Sequence, residues 1–339
     1  MGRKKKFKIN KRTKEAIIGI IFVIVIYFLS KYGILEQIDN AIRDTGLAEI
    51  VDTRETSVVE TKPQVKTNTE IIEKVSESIV IDNNKLNILF LDVGQADSQL
   101  ILYKGKSMLI DAGNSNDGEY IVNGLKGLGI TKLDYVIGTH VHEDHVGGMS
   151  QIIDSFEIGD FYLPYNTTST TSYYKKILTS LTDKEESINE ANIGDKINIE
   201  DLEFEIMSVD NSQPENENVS SIVIEMTLGK QKYLFMGDAE DENEKARNWN
   251  DVDVLKVGHH GSNTSSCEEF LNQVMPEISI ISVGEGNSYN LPKDKILKRL
   301  ENIDSTIYRT DLDGTIQIVS DGITNEVIKI DVNFDGSQL

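Results

Sequence analysis

Cysteine is nearly missing from this chain, whose 339 residues include only Cys267. One cysteine cannot form an intrachain disulfide, which excludes a small disulfide-stabilised scaffold and leaves stability to the apolar core. The sequence also shows no repeat at a fixed period, so a solenoid is not supported. The length beyond the N-terminal segments described below suits one domain with a large core.

Basic residues are also scarce, with 34 Lys and Arg against 56 Asp and Glu and a formal net charge of -22 at pH 7. Eight of these cations lie in residues 1–14, MGRKKKFKINKRTK, so the rest of the chain carries -30. Proteins that hold nucleic acid usually display basic grooves, and no cluster of Lys and Arg accompanies the histidine motifs. The acidic balance therefore argues against an extended nucleic-acid groove. It leaves cleavage of short or metal-neutralised phosphodiesters open, and it is also ordinary for a secreted domain.

Only one apolar run approaches membrane-spanning length. This run, AIIGIIFVIVIYFLS, begins at Ala16 and continues beyond Lys31. A transmembrane helix needs about 20 such residues, so residues 15–35 are predicted to be an uncleaved anchor in which Lys31 reaches the interface. No small-residue cleavage site follows directly, which disfavours a cleaved signal peptide. The basic tail, residues 1–14, should stay in the cytoplasm, which predicts a single-pass protein of the cell membrane with its main domain outside.

Residues 36–85 are predicted to be a stalk or linker between the anchor and a single domain formed by residues 86–333. The part from Ala48 to Asn84 is rich in Thr, Glu, Val, Asn and Lys and holds one proline. This composition is typical of linkers, with short helical stretches expected around residues 69–78.

Within the main domain, apolar patterns of two periods alternate along the chain. Strands are predicted at residues 86–94, 106–113, 197–209, 221–228, 232–238, 253–258, 278–284 and 315–321. Helices are predicted at residues 120–129, 172–181, 242–250, 268–275 and 294–303. Taken alone, these patterns indicate only a mixed α and β domain.

All five histidines fall in two short segments. THVHEDHVGG contains His140, His142 and His145, and KVGHHGSNTSS contains His259 and His260. A chain that uses histidine nowhere else has gathered it at two places, which indicates a site and not scattered surface residues.

The spacing in the first segment favours two metal ions. Alternate residues of an extended segment point the same way, so His140, His142 and Asp144 can converge on one centre while His145 faces a second. Neutral imidazole with carboxylate suits zinc and also manganese or iron, and leaves positions where bound water becomes hydroxide near neutral pH. Two divalent ions, zinc or manganese, are therefore predicted. Cys267 follows the second segment and is expected to open a helix as a small apolar residue, not to act as a thiolate ligand.

At these residues the sequence resembles the metallo-β-lactamase superfamily and, within it, the hydrolase-like domain of ComEC/Rec2 proteins. The resemblance runs from about Leu86 to about Ile330 and departs from the usual first block at Ala96, where glycine is expected. It rests on eight ordered blocks: NILFLDVGQADSQLI, MLIDAG, THVHEDHVGG, NENVSSIVIEM, YLFMGDAE, DVLKVGHHGSNTSS, IISVGEGNSYNLP and YRTDLDGTI.

The resemblance implies an αββα sandwich, in which two packed sheets carry helices on their outer faces. It implies that Asp238, at a strand end, bridges the two metals and that Asp144 holds the second one, and both are catalytic candidates. The candidate metal ligands are then His140, His142, Asp144, His145, Asp238, His259 and His260. Support of the loop or contact with substrate is expected from Asp92, Asp97, Asp111, Asn218, Ser221, Lys256 and Ser262. Because adjacent strand residues point to opposite sides, only one of His259 and His260 is expected to be a direct ligand.

Two departures from the family pattern affect the site. The superfamily's further histidine between the first motif and Asp238 is absent, and Asn218 and Ser221 occur there instead, as in ComEC-like chains. After the strand ISIISVG the expected N-x-Y-G-H-P is replaced by a sequence with Leu291 at the histidine position. Leucine cannot bind a metal, so one-metal occupancy is an alternative to two.

These observations predict a membrane-anchored, metal-dependent hydrolase that acts on phosphodiesters, either nuclease-like or directed at cell-envelope polymers. In the implied mechanism, hydroxide held by the metals attacks phosphorus. Two alternatives remain at this point. One is an acyl, lactam or thioester hydrolase of the same fold, and the other is a non-catalytic module associated with DNA uptake. The oligomeric state is left open.

Overall fold

The structure is a computed structural model that describes residues 72–76, 78–164, 169–212 and 214–336. The predicted basic tail, the predicted anchor and most of the predicted stalk lie outside the described residues. Among the residues that are described, no helix has the length and apolarity needed to cross a membrane.

The described chain alternates strands with short helices. The strands are β1 Ile72–Ser76, β2 Leu86–Phe90, β3 Gln99–Tyr103, β4 Lys106–Ile110, β5 Lys132–Ile137, β6 Glu157–Leu163, β7 Ile188–Glu190, β8 Lys196–Ile199, β9 Leu202–Ser208, β10 Val223–Leu228, β11 Gln231–Phe235, β12 Val254–Lys256, β13 Ile278–Ile281, β14 Thr306–Arg309, β15 Thr315–Ser320 and β16 Asn325–Ile330. The α-helices are α1 Gly118–Gly127, α2 Glu143–Val146, α3 Met149–Ser155, α4 Ser172–Asp183, α5 Asp241–Lys245, α6 Glu268–Val274, α7 Asp294–Asn302 and α8 Thr310–Asp313. Two short 3₁₀ segments, Glu217–Ser220 and Gly258–Gly261, complete the described elements.

The strands form two sheets in the described residues. The first has the order β1-β16-β15-β2-β3-β4-β5-β6-β7, and the second has the order β14-β13-β12-β11-β10-β9-β8. Strands β4 to β7 run parallel to one another, as do β11 to β14. The carboxyl ends of neighbouring parallel strands lie at one edge of a sheet, and the loops at these edges carry the histidine motifs.

Three apolar layers hold these elements together. Side chains from both sheets pack against one another in the first, where the rings of Phe90 and Phe235 lie 6.1 Å apart. A second cluster includes Ile121 of α1 and Ile177 of α4 beside residues of the first sheet, and a third includes Phe270 of α6 beside residues of the second. This is a sandwich of two sheets with helices on both outer faces, as the resemblance implied.

Strand β2 shows why the sequence patterns succeeded. Leu86, Ile88 and Phe90 belong to the cluster between the sheets, whereas Leu89 belongs to the cluster under the helices. A strand buried on both faces is apolar at nearly every position. Its polar residue, Asn87, is buried and accepts a hydrogen bond from Gln317 Nε2 at 3.0 Å.

The predicted strands and helices are present, although several of them are shorter than predicted. The pattern over residues 197–209 divides into β8 and β9 at Glu200, which has a positive φ of 57°. The helix predicted over residues 242–250 is the shorter α5. Cys267 is the residue that precedes α6, which confirms that it opens a helix.

The expectation of helix around residues 69–78 is wrong for residues 72–76. This segment is β1, which pairs in parallel with β16 at the edge of the first sheet. Glu73 secures it, because its carboxylate lies 2.7 Å from Lys329 Nζ and accepts a hydrogen bond from Tyr308 Oη at 3.2 Å. The sheet therefore begins inside the segment that was predicted to be a stalk.

Replacing Phe90 with alanine is expected to lower the free energy of unfolding by about 3–5 kcal/mol, because a fully buried ring between the sheets leaves a cavity. Urea denaturation followed by circular dichroism measures the change. The control is Leu312→Ala, at a side chain that is 70% exposed. Equal destabilisation by the two substitutions would contradict the packing of the two sheets.

Candidate metal centre

Asp111 and Thr139 fix the loop that carries the first histidine motif. Asp111 follows β4 with a positive φ of 59° and is fully buried. Its carboxylate accepts hydrogen bonds from the backbone N–H and the hydroxyl of Thr139, each at 2.8 Å, and lies 2.8 Å from Nδ1 of His145. With Nδ1 held in this way, Nε2 of His145 is directed toward Asp238. These contacts are those of a residue that orients the loop.

Asp238 lies at the centre of the histidines. It follows β11, is buried, and receives its position from a hydrogen bond of its backbone N–H to Ser221 Oγ at 3.1 Å. Oδ1 lies 3.2 Å from Nε2 of His145 and 3.7 Å from Nε2 of His260. Oδ2 lies 3.9 Å from Nε2 of His140 and 3.7 Å from Nε2 of His259. The two oxygens of one carboxylate thus face two different pairs of imidazoles.

The candidate ligands form two compact groups. The His140 group consists of His140, His142 and Asp238, and the His260 group consists of Asp144, His145 and His260; within each, the ligand atoms lie within 4.8 Å of one another. In the first, His140 Nε2 and His142 Nδ1 are 3.0 Å apart. In the second, His260 Nε2 and Asp144 Oδ2 are 3.4 Å apart. Histidines about 120 residues apart in sequence are therefore brought together.

Two further groups of suitable side chains contain Asp97, one with Asp111 and His145 and the other with Asp238 and His260. Asp97, however, accepts a hydrogen bond from Lys256 Nζ at 2.7 Å, and both side chains are 1% exposed. An ammonium group at this distance repels a second cation. The His140 and His260 groups are therefore the better candidates.

Lys256 is buried and does not face solvent. Its ammonium group donates to Asp97 and to the backbone carbonyl of Val257 at 3.0 Å. The prediction that Lys256 touches the substrate finds no support in these contacts. Its charge instead offsets one buried carboxylate.

The turn Gly258–Gly261 presents both of its histidines to the same carboxylate. His259 and His260 have φ values of 50° and 51°, in the left-handed region, and the backbone N–H of His259 donates to the carbonyl of Gly237 beside Asp238. The expectation that adjacent residues point to opposite sides assumed an extended strand. It is wrong here because the chain turns at these residues and both Nε2 atoms face Asp238.

The other predicted residues support the loops in different ways. Ser221 lies 3.4 Å from His140 Nδ1, and Asn218 donates to Glu240 at 3.0 Å. Asp92 accepts from the backbone of Gly94 at 3.2 Å and so orders the loop after β2. Ser262 accepts from the hydroxyl of Thr264 at 3.3 Å, at the end of the histidine turn.

Leu291 is half-buried and packs against the apolar cluster of the second sheet and its helices. Asn287 holds this loop closed, since its side chain donates to the carbonyl of Leu291 at 2.8 Å and accepts from the backbone N–H of Leu291 at 3.0 Å. The leucine thus takes a packing role at the position where the resemblance led us to expect an imidazole.

Opposite charges set the protonation of the centre. Burial lowers the pKa of His145, but the carboxylates of Asp238 and Asp111 outweigh burial and hold that pKa well above its ordinary value. Burial raises the pKa of Asp238, but His145 and His260 outweigh it and hold that pKa well below its ordinary value. A cation entering the centre must therefore displace protons from imidazole.

Several buried atoms of the centre suit a metal ion. His145 Nε2, His260 Nε2 and Asp238 Oδ1 have no hydrogen-bond partner among the described residues. Buried polar atoms are nearly always paired, and these three face one another. Imidazole nitrogen with carboxylate oxygen is a donor set that divalent zinc, manganese and iron accept, so the residues fit such an ion.

Sequence reasoning missed three residues that contact the centre. Thr139 immediately precedes the first histidine, Glu240 follows Asp238 by two residues, and Tyr173 of α4 donates to the carbonyl of Val141 at 3.0 Å. Thr139 and Glu240 lie within two residues of a candidate ligand in the sequence, and this proximity could have identified them. No such signal marks Tyr173, because only the packing of α4 brings it to the loop.

Comparisons with known proteins agree with this geometry. A sequence model of the metallo-beta-lactamase superfamily matches residues 91–285, more than half of the chain. ComE operon protein 3 of Bacillus subtilis is 32% identical over 249 residues, which cover 67% of this chain and 32% of that protein. Recombination protein 2 of Haemophilus influenzae is 34% identical over 235 residues, which cover 67% of this chain and 28% of that protein. The chain thus spans about a third of the length of these relatives.

Among solved structures, the metallo-beta-lactamase fold protein YhfI from Bacillus subtilis aligns over 70% of this chain and 100% of its own, with 9% identity and a TM-score of 0.48. The superfamily match and the curated relatives decide the family. The chain belongs to the metallo-beta-lactamase superfamily, whose members are usually metal-dependent hydrolases, and its domain is of the ComEC/Rec2 type.

Proposed function

We propose that this protein is a metal-dependent phosphodiesterase that uses two divalent cations, zinc or manganese. The observation that carries the proposal is the position of Asp238, whose Oδ2 faces His140 and whose Oδ1 faces His145 of the His260 group. One carboxylate between two sets of imidazoles is the arrangement that links two cations a short distance apart.

The balance of buried charge favours two cations over one. Asp97, Asp111 and Asp238 are buried and Asp144 is largely so, whereas Lys256 is the ammonium group that contacts this set among the described residues. Once entering metal has displaced the imidazole protons, four carboxylates and one ammonium leave three negative charges, whose burial is costly unless cations compensate them. One dication leaves a negative charge, and two leave a positive charge that an anionic substrate or nucleophile offsets.

When bound, such cations supply Lewis acidity and a hydroxide nucleophile at neutral pH. The chain's own residues prepare the site for that chemistry. Asp111 holds the ring of His145, and Asp238 sits between the groups. The side chain of Asp144 is 31% exposed, so its carboxylate is the one that reaches the solvent side. In this position it would accept a hydrogen bond from a water molecule that enters the centre. Burial raises the pKa of Asp144, but the nearby imidazoles of His260 and His145 outweigh burial and lower that pKa, which keeps the carboxylate an acceptor.

Support for a phosphodiester comes from the relatives and from charge. The relatives include a recombination protein and a competence protein, ComA of Neisseria gonorrhoeae, and we carry a nucleic-acid or related phosphodiester substrate over from them as a proposal. The net charge of -22 disfavours binding of long polyanions, so short or metal-neutralised phosphodiesters, of DNA or of the cell envelope, are proposed as substrates. We also propose action at the cell membrane through residues 15–35, with the domain outside.

The full chain, loaded with Zn²⁺ or Mn²⁺, is assayed against bis(p-nitrophenyl) phosphate, single-stranded DNA, p-nitrophenyl acetate and a chromogenic lactam. We expect phosphodiester hydrolysis that Asp144→Asn and His142→Ala reduce by at least about 10²-fold. Asp154→Asn, at an exposed carboxylate on α3, is the matched control and should retain activity. Hydrolysis of the ester or lactam alone would replace phosphodiesters with acyl substrates. Absence of metal and of every activity would indicate a binding module.

A further inference from the structure

The His140 group has two imidazoles and one carboxylate, and the segment between the first motif and Asp238 contains no histidine that would add a third. His259 lies outside this compact group. Its Nε2 nevertheless faces Oδ2 of Asp238 at 3.7 Å, the same oxygen that Nε2 of His140 faces at 3.9 Å. His259 is therefore on the correct side of Asp238 to serve this group.

The other ring nitrogen of His259 faces a carboxylate. Its Nδ1 lies 3.2 Å from Oε1 of Glu240 and 2.9 Å from Oγ1 of Thr264. A carboxylate can only accept a hydrogen bond, whereas a hydroxyl can donate or accept. Glu240 is thus the neighbour that favours the tautomer with a proton on Nδ1 and a free lone pair on Nε2.

Two asparagines of the segment before β10 hold Glu240 in place. Asn218 Nδ2 donates to Oε1 at 3.0 Å, and Asn216 Nδ2 donates to Oε2 at 2.9 Å. The side chain of Glu240 is only 14% exposed, so little water competes for its oxygens. The segment that lacks the superfamily's histidine therefore contributes amides that orient a carboxylate toward His259.

We propose that Glu240 is a positioning residue that presents His259 as the third imidazole for a divalent cation held by His140, His142 and Asp238. This inference rests on the proposed function, because it requires that the centre bind metal. The relevant chemistry is the pairing of a metal-ligating imidazole with an outer carboxylate, which fixes the ring and raises its basicity. His260, on the same turn, then serves the second cation.

A purely structural role for Glu240 must be separated from this one, because Glu240 also precedes α5 and forms a capping box with Asn243. Two variants make the separation. Glu240→Gln keeps the length of the side chain and an oxygen acceptor, but its amide can present N–H to Nδ1 and release the tautomer. Glu240→Ser keeps a residue that caps helices well, but it is too short to reach His259.

The experiment titrates the full, metal-free chain with Zn²⁺ by calorimetry and with Co²⁺ by absorption, which reports imidazole coordination. Wild type is expected to bind two ions. Both Glu240 variants should weaken one of the two sites about 10–100-fold and change the Co²⁺ spectrum, while the melting temperature of the metal-free protein stays within about 4 °C. Glu242→Gln, which removes the same charge from an exposed position on α5, is the matched control and should bind like wild type.

A double-mutant cycle with His259→Ala identifies the route of the effect. If Glu240 acts through His259, Glu240→Gln has no further effect on Zn²⁺ affinity once His259 is removed. Unchanged affinity in both Glu240 variants, or a loss that adds fully to that of His259→Ala, overturns the inference and leaves the proposed function standing. Failure of wild type to bind any Zn²⁺ or Co²⁺ overturns the proposed function as well.

Discussion

Replacing Asp238 with asparagine is expected to remove bound metal and phosphodiesterase activity together. Asparagine has nearly the same shape, but it carries no charge and has one acceptor oxygen where the carboxylate has two. It cannot face both His145 and His140 with an anionic oxygen, as the carboxylate does at 3.2 and 3.9 Å. We expect the metal content to fall from two ions per chain to fewer than one.

The loss in kcat/KM should be at least about 10³-fold, larger than the 10–100-fold typical of residues that only support a ligand. Metal content is measured by mass spectrometry after dialysis, and activity is measured with bis(p-nitrophenyl) phosphate. Asp154→Asn serves as the control for removal of one carboxylate, and circular dichroism checks the fold. If Asp238→Asn retained two ions per chain, the central position assigned to Asp238 would be wrong.

Removing the metal with a chelator is expected to lower the melting temperature of the wild-type chain by about 5–10 °C. A ligand present at 100 times its dissociation constant stabilises the folded state by about 2.7 kcal/mol. For a domain of this size, each kcal/mol corresponds to about 2–4 °C. The physical reason is the buried excess of carboxylates. Asp97, Asp111 and Asp238 lie in one cluster, and without metal they are compensated among the described residues by the ammonium of Lys256 and by protonated imidazole.

Differential scanning calorimetry with and without chelator measures the shift, and added Zn²⁺ should restore the original value. Asp238→Asn supplies the matched control, because a variant that holds fewer ions should show a smaller shift. A chelator effect of equal size in both proteins would mean that the stabilising ion lies elsewhere. No shift in the wild type would show that the centre holds no metal under these conditions.

Much of the centre followed from local sequence. The alternation of His140, His142 and Asp144 predicted that all three converge on one centre, and the structure places the ligand atoms of His140 and His142 3.0 Å apart. The prediction is wrong for Asp144, which groups with His145 and His260 because helix α2 begins at Glu143 and ends the extended backbone. The family resemblance implied a central carboxylate at Asp238, and this carboxylate faces four histidines. The convergence of His140 and His142 depends on backbone periodicity, which acts over a few residues, whereas the role of Asp238 came from the resemblance.

Other features required the folded chain. Lys256 and Asp97 are 159 residues apart and pair only because β12 and the loop after β2 meet inside the sandwich. The residues next to Lys256 in the sequence do not indicate whether its ammonium group pairs with a buried carboxylate or with water. Glu240 likewise acquires its role from Asn216 and Asn218, which approach it from another segment.

The order of residues by itself determined many of the strands and helices and which side chains are grouped into motifs, because these depend on side-chain type and short-range periodicity. Tertiary structure alone decided which histidines share a carboxylate oxygen. The left-handed turn at His259 and His260 is set by its hydrogen bond to Gly237 and by packing against neighbouring loops, and such long-range contacts leave no local pattern. The division of one histidine pair between the two oxygens of Asp238 is therefore a property of the fold.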